Sequence, residues 1–278
     1  MTGHPAYSEW RDHAAWVAAA EVVREAEVAL VGHCGVHPEG DTQGHCDACG
    51  AASRFAWRPG APARENLPCL RCGCIGRQRA VAGLLIAALP APARARVYAT
   101  EQASAFHLAL RRRLGRVHGS EYAGWRLRLR LSAWLWRRGA LAWVRRGDVT
   151  RLHFPTASLD GIASQDVLEH VEDHHAALRE IVRVLRPGAP FVFTVPFHED
   201  RAGTARIAST GADGRVVHDG APEYHGDPLG GGALCFHHFG WALLDDLRSA
   251  GFADAVARRV HDPAHGLPSP HWVLQATR

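Results

Sequence analysis

The spacing of apolar residues changes along this chain, and the change divides it. Residues 9–31 (EWRDHAAWVAAAEVVREAEVALV) repeat apolar positions at helical spacing with alanine between them. RQRAVAGLLIAAL (77–89) predicts a second helix, stopped by the PAPA that follows. Between the two the periodicity fails, and Pro59, Pro62 and Pro68 keep the segment irregular. After that, strand and helix signals take turns. Strands are expected at 95–100 and 116–120, a short one ending near Asp148, then at 159–165 (LDGIASQ) and 191–197 (FVFTVPF). Helices are expected at about 103–114, 174–186 and 240–252, and the last strands near 254–260 and 271–277. The unbroken apolar run at 191–197 is that of a strand covered on both faces.

Strands alternating with helices predict an α/β chain: a Rossmann-like, doubly wound, seven-stranded and mostly parallel sheet, preceded by a small helix plus a cysteine-bearing segment. The expected division is 1–92 for the leading helix and cysteine segment and 93–278 for the sheet domain. Composition agrees with a soluble globular protein, at 278 residues with 47% hydrophobic and 22% charged residues. All 32 basic residues are arginine, which reads as codon bias, and the formal charge of +4 makes no strong case for nucleic acid. The leading residues lack a charged-then-apolar signal pattern, and no apolar run reaches membrane-spanning length, so a cytoplasmic protein without a membrane span is expected.

That compartment gives meaning to the stretch GHCDACG…ENLPCLRCGCIG. Disulfides are rare in a cytosol, whereas two C-x-x-C pairs, Cys46/Cys49 and Cys69/Cys72, read as four thiolates for one tetrahedral zinc ion. Gly50 and Gly73 follow the pairs and relax the backbone at each turn. A closed four-thiolate site leaves no open position for substrate, so the zinc is expected to be structural. A redox pair needs only one such motif. Cys34, Cys74 and Cys235 read as small buried apolar residues, with Cys74 the nearest substitute ligand.

Ligands of doubly wound sheets bind at the carboxyl ends of the strands, and acidic residues fall at those ends. Glu101 follows the first strand, Glu121 the second, Asp148 the third and Asp166 the fourth. Glu121 lies 20 residues beyond Glu101, the distance at which a carboxylate reaches a ribose hydroxyl pair. Taken singly, each acid reads as a solvated surface group.

The stretch LHFPTASLDGIASQDVLEHVEDHHAALREIVRVLRPGAPFVFTVPF (152–197) resembles the central part of class I S-adenosylmethionine-dependent methyltransferases of the type-11-like group, most specifically in DVLEHV followed by REIVRVLRPG. The resemblance covers roughly residues 95–278, and CDACG…RENLPCLRCGCIGRQRA is similar to the cysteine-rich lead segment of some bacterial members. It implies S-adenosylmethionine as cofactor, bound by Glu101, Gln102, Ser104, Glu121, Tyr122, Asp148, Val149, Gln165 and Asp166. Within that set the resemblance gives Glu121 the ribose hydroxyls, Asp148 and Val149 the adenine, and Gln165 and Asp166 the methionine end. One departure stands out: the family's Gly-rich turn after the first strand is replaced by YATEQASAFH. Ala103 and Ser104 are small, and Ser104 can cap the next helix.

A hydroxyl or amine acceptor often needs a proton removed, and histidine titrates in the right range. Of 19 histidines, His170, His198 and His225 fall where substrate is expected, the last two beside carboxylates in PFHED and EYHGD. The Gly/His/Asp-rich segment 198–238 reads as a substrate-facing insert or a surface loop. WRLRLRLSAWLWRRGALAWVRR (125–146) reads as an amphipathic cover over the sheet or a homodimer face, with membrane-surface or nucleic-acid binding as the other reading. The expectation is a methyltransferase acting on a small-molecule acceptor, O- or N-methylating. Two alternatives stay open: an RNA or protein methyltransferase that uses the zinc knuckle to bind its macromolecule, and a non-catalytic binding module on a degenerate scaffold.

Overall fold

The structure, a computed structural model, describes residues 4–35, 37, 39–225 and 232–278. Seven strands form one twisted sheet: β1 (Tyr7–Trp10), β2 (Arg96–Ala99), β3 (Arg116–Gly119), β4 (Gly161–Gln165), β5 (Pro190–Thr194), β6 (Asp254–Asp262) and β7 (Leu267–Thr277). Their order is β1-β6-β7-β5-β4-β2-β3. The pairs β3–β2, β2–β4 and β4–β5 are parallel, while β5–β7, β7–β6 and β6–β1 are antiparallel. The chain leaves β2 in one direction along the sheet, to β3, and then returns to the other side of β2 as β4. That reversal opens a crevice at the carboxyl ends of β2 and β4.

Helices cover both faces: α1 (His13–His33), α2 (Gly76–Ala88), α3 (Ala105–Arg113), α4 (Trp125–Arg137), α5 (His174–Val184) and α6 (Ala242–Ala250). Four of them are explained locally. Asp12 caps α1, Ser104 caps α3 and Asp173 caps α5, each accepting a bond from a first-turn amide. Gly251, at φ 110°, ends α6 in the left-handed region. The central strands β4 and β5 are buried on both sides, so successive residues feed two cores. Tyr98, Ile162, Phe191 and Phe193 pack with Trp16 of α1 and the apolar faces of α5 and α6. Val97, Ala163 and Val192 pack on the opposite face with α2, α3 and the cysteine turns.

Two features differ from the expected layout. Tyr7–Trp10 is a strand rather than the first turn of a helix, lying antiparallel on β6 with Tyr7 opposite Val260. The stretch expected as a short strand ending near Asp148 contributes only a parallel bridge between Glu121 and Arg146. Its sequence, RRGD, has no apolar face to bury. It is held instead by the Gln102 side chain, which donates to the Trp143 carbonyl at 2.9 Å and accepts from the Arg145 amide at 2.8 Å.

The insert 198–238 folds as short hairpins: Ala205–Arg206 on His237–His238, Ala208–Thr210 on Val216–His218, and Tyr224–His225 on Ala233–Leu234. The part of EYHGD beyond His225 lies outside the described residues. Among the described residues, no helix is long and apolar enough to cross a membrane.

Candidate functional site

A cleft of about 720 Å³ opens over the carboxyl ends of β2, β3 and β4. Of the residues expected at a cofactor, Glu121, Tyr122, Asp148, Val149 and Asp166 line it, as does His170. Its opposite wall comes from the insert, through Ala233 and Phe236.

Glu121 stands at the top of β3 and turns back towards β2. Its Oε1 accepts from the backbone amides of Gln102 at 2.7 Å and Ala103 at 2.8 Å. Those amides belong to the turn that replaces the glycine-rich one, and none of residues 100–105 has positive φ. The turn therefore needs no glycine for its own conformation, and a carboxylate organises it. Ser104 accepts from the His107 amide at 3.1 Å and so caps α3 rather than facing the cleft. Glu101 and Gln102 sit behind the lining, and burial pushes the Glu101 carboxyl up to about 7.

Asp148 folds over itself, accepting from the amide and hydroxyl of Thr150 at 2.9 and 2.6 Å. Gly147 beside it has a packing reason: a Cβ there would lie 1.8 Å from Ser120 Oγ. That hydroxyl is in turn 2.7 Å from the Tyr98 hydroxyl. Asp166 follows β4 in the left-handed region, at φ 50°, a strained conformation for a non-glycine residue that often marks a functional position. It is fixed by Thr194 Oγ1, which donates at 2.9 Å, and by Arg64 at 2.8 Å. Arg77 Nε stands 3.4 Å from its other oxygen, and these guanidinium groups hold the carboxyl below its usual range against the effect of burial. Arg77 also donates to Gln165 Oε1 at 2.9 Å, drawing Gln165 away from the cleft. Neither Arg64 nor Arg77 was distinguishable among 32 arginines by sequence.

The three histidines separate. His198 does not gain its expected carboxylate: Glu199 turns to Arg259, at 2.9 Å, and to Arg24. Burial and Arg201 then lower the His198 pKa. His170 and His225 meet, with ring centroids 5.3 Å apart. The Glu169 carboxylate, 3.7 Å from His225 Nδ1, and Glu223, 3.1 Å from its Nε2, raise the His225 pKa.

On the face carrying α2 and α3, the four cysteines of the paired motifs come together. One sulfur from each lies within 4.8 Å of the others, with Cys46–Cys72 at 3.7 Å and Cys49–Cys69 at 4.0 Å. All are free thiols. Zn–S bonds of about 2.3 Å place tetrahedral sulfurs about 3.8 Å apart, so the spacing fits a zinc ion. Gly50 and Gly73 take φ 70° and 79° and donate back to the Cys46 and Cys69 carbonyls at 2.7 and 2.8 Å. Cys74 is not in the cluster. Its carbonyl accepts from the Cys69 amide at 2.9 Å and from the buried Arg79 at 3.1 Å.

Residues 82–193 match the family described as a methyltransferase domain. A curated relative, a probable S-adenosylmethionine-dependent methyltransferase of Mycolicibacterium smegmatis, is 38% identical over 53 residues. Those residues are 19% of this chain, which spans about a fifth (21%) of that relative. Among solved structures, an S-adenosylmethionine-dependent methyltransferase from Mesorhizobium loti is similar at 22% identity and TM-score 0.46, covering 70% of this chain and 96% of that one. The 1,6-didemethyltoxoflavin-N1-methyltransferase of Burkholderia thailandensis is similar at 18% identity and TM-score 0.46, covering 72% and 77%.

Proposed function

We propose that this protein transfers a methyl group from S-adenosylmethionine to a small-molecule acceptor bound in the cleft above β2, β3 and β4. One observation carries the reading most: Glu121 and Asp166, at the ends of β3 and β4, and Asp148, in the loop between those strands, converge on a single cleft within the matched methyltransferase region. When bound, the cofactor supplies an activated methyl group, and the protein has to bind, align and exclude water.

The roles divide by position. Glu121 faces the ribose hydroxyls while bracing the 102–103 turn. Asp148 and Val149 flank the adenine. Asp166, fixed by Thr194 and the two arginines, presents the methionine end. The insert supplies the acceptor side through Ala233 and Phe236, with His170 and His225 beside it. A cleft of about 720 Å³ is in the range of small-molecule sites, roughly 300–1,000 Å³. The four-cysteine cluster holds one structural zinc ion and fixes the 42–74 segment. Its role is in folding, not in the transfer.

Calorimetry with S-adenosylmethionine and with its demethylated product is the direct test. Binding of both at about one per chain supports the reading. No binding of either, by protein retaining its native circular dichroism, would leave a scaffold without its cofactor. Salt-dependent binding of tRNA or rRNA would move the acceptor from small molecule to RNA.

A further inference from the structure

We propose a second metal site, distinct from the four cysteines, in which His170, His225 and Cys235, with Glu169, hold a divalent first-row transition ion, zinc in the first instance. The residues come from two elements. Glu169 and His170 stand on the short turn Leu168–His170 after β4. His225 lies on the hairpin Tyr224–His225, and Cys235 follows its partner strand Ala233–Leu234. One backbone bond fastens the elements, from the Phe236 amide to the Glu169 carbonyl at 2.7 Å, and another, from the Cys235 amide to the Glu223 carbonyl at 2.9 Å, closes the hairpin.

One donor atom from each of His170, His225 and Cys235 lies within 4.8 Å of the other two. Glu169 Oε1 is 3.8 Å from His170 Nε2 and 3.7 Å from His225 Nδ1. The Cys235 sulfur stands beside the His170 ring, 3.9 Å from Nδ1, the nitrogen on the far side of the ring from Glu169. Donors about 2.0–2.3 Å from a shared tetrahedral ion stand about 3.3–3.8 Å apart. The two Glu169–histidine distances have that spacing and are too long for direct hydrogen bonds.

The outer shell fixes which nitrogens are lone-pair donors. His170 Nδ1 is 2.8 Å from the Leu234 carbonyl, so it carries the proton there and Nε2 presents its lone pair towards Glu169. His225 Nε2 is 3.1 Å from Glu223, which orients the ring so that Nδ1 presents its lone pair to the same point. A carboxylate behind a ligating histidine is the common support of a metal site.

The independent observation is Glu169 itself. It is fully buried, and neither carboxylate oxygen has a hydrogen-bond partner among the described residues. A buried carboxylate facing two imidazole lone pairs is unfavourable alone and satisfied by a cation between them. Because His170 also lines the cleft, the ion would stand on the acceptor side and favour acceptors that bind it through a hydroxyl or carboxylate oxygen. That last step alone rests on the methyltransferase reading.

The test counts metal in the full-length protein, purified without chelator. His225→Ala/Cys235→Ala should lower bound zinc by about one equivalent relative to wild type and leave the cysteine-cluster metal in place. Glu169→Gln keeps the shape and removes the charge. In zinc titrations of chelator-treated protein it should weaken the second binding step ten- to a hundredfold, with unchanged circular dichroism. Equal metal content in wild type and the double variant would overturn the site, as would unaltered zinc titration of Glu169→Gln. Cofactor calorimetry on wild type reads the methyltransferase assignment separately, so failure of one is distinguishable from failure of the other.

Discussion

The carboxylate of Glu121 lies 2.7 Å from the backbone amide of Gln102, across the tops of two neighbouring parallel strands. A single side chain thereby closes the turn after β2 and forms part of the wall where a cofactor would lie. Glu121→Ala should weaken S-adenosylmethionine binding by roughly 1.5–3 kcal/mol, the usual loss when a charged acceptor is removed. Titration calorimetry checks this, and wild-type affinity in the variant would separate Glu121 from the cofactor.

Asp166 combines a left-handed backbone with a charge facing Arg64 and Arg77. Asp166→Asn tolerates that conformation and removes only the charge. Asp166→Val also forces a β-branched residue into the left-handed region, adding about 1–2 kcal/mol of destabilisation. Denaturant unfolding of the pair should show Val below Asn by that margin. Equal stabilities would mean the backbone relaxes freely there.

Glu101 has its pKa raised to about 7 by burial, against an unfolded value near 4.5. The folded state therefore binds more protons than the unfolded one between those values, and stability falls as pH rises through that window. Glu101→Gln cannot ionise. Melting temperatures of the two proteins should agree best near pH 5 and diverge by pH 8, with the variant more stable by on the order of 2 kcal/mol. Parallel curves across that range would place Glu101 in contact with water.

Much of this was readable before the structure, for a physical reason. β4 and β5 are buried along their whole length, and the helices α2, α3, α5 and α6 bury apolar residues at helical spacing, so period and apolar content mark them. The four residues YSEW of β1 are an edge strand too short to alternate visibly, and the helical pattern of α1 absorbs them. The acids at the strand ends were legible because strand ends are where such sheets bind. Which of them faces the cleft was not, since Gln165 is turned aside by Arg77 and Ser104 by the start of α3. Cys235 carried no local signal. It meets His170, 65 residues earlier, only because a hairpin of the insert folds back over the turn after β4.

Removal of the proposed knuckle zinc should be felt by the fold. Wild type should carry a chelator-sensitive ion at Cys46, Cys49, Cys69 and Cys72, and Cys69→Ser should lose it and expose 42–74 to proteolysis. Metal analysis with limited proteolysis reads both. Intact protection of that segment in a metal-free Cys69→Ser protein would show that packing alone holds it.

The strand Tyr7–Trp10 has consequences for how the chain is made. Its partner, Asp254–Asp262, leaves a ribosome long after it, and the Ala6 carbonyl accepts from the His261 amide. Tyr7–Trp10 must therefore wait, unpaired, until the intervening chain and Asp254–Asp262 have been made. During that interval the aromatic Trp10 and Trp16 lack Trp272, against which Trp16 finally packs edge-on at 4.9 Å. Late long-range closure slows folding and leaves apolar surface open to other contacts. Expression of this protein should accordingly respond to chaperone supply and growth temperature more strongly than its well-filled core would suggest.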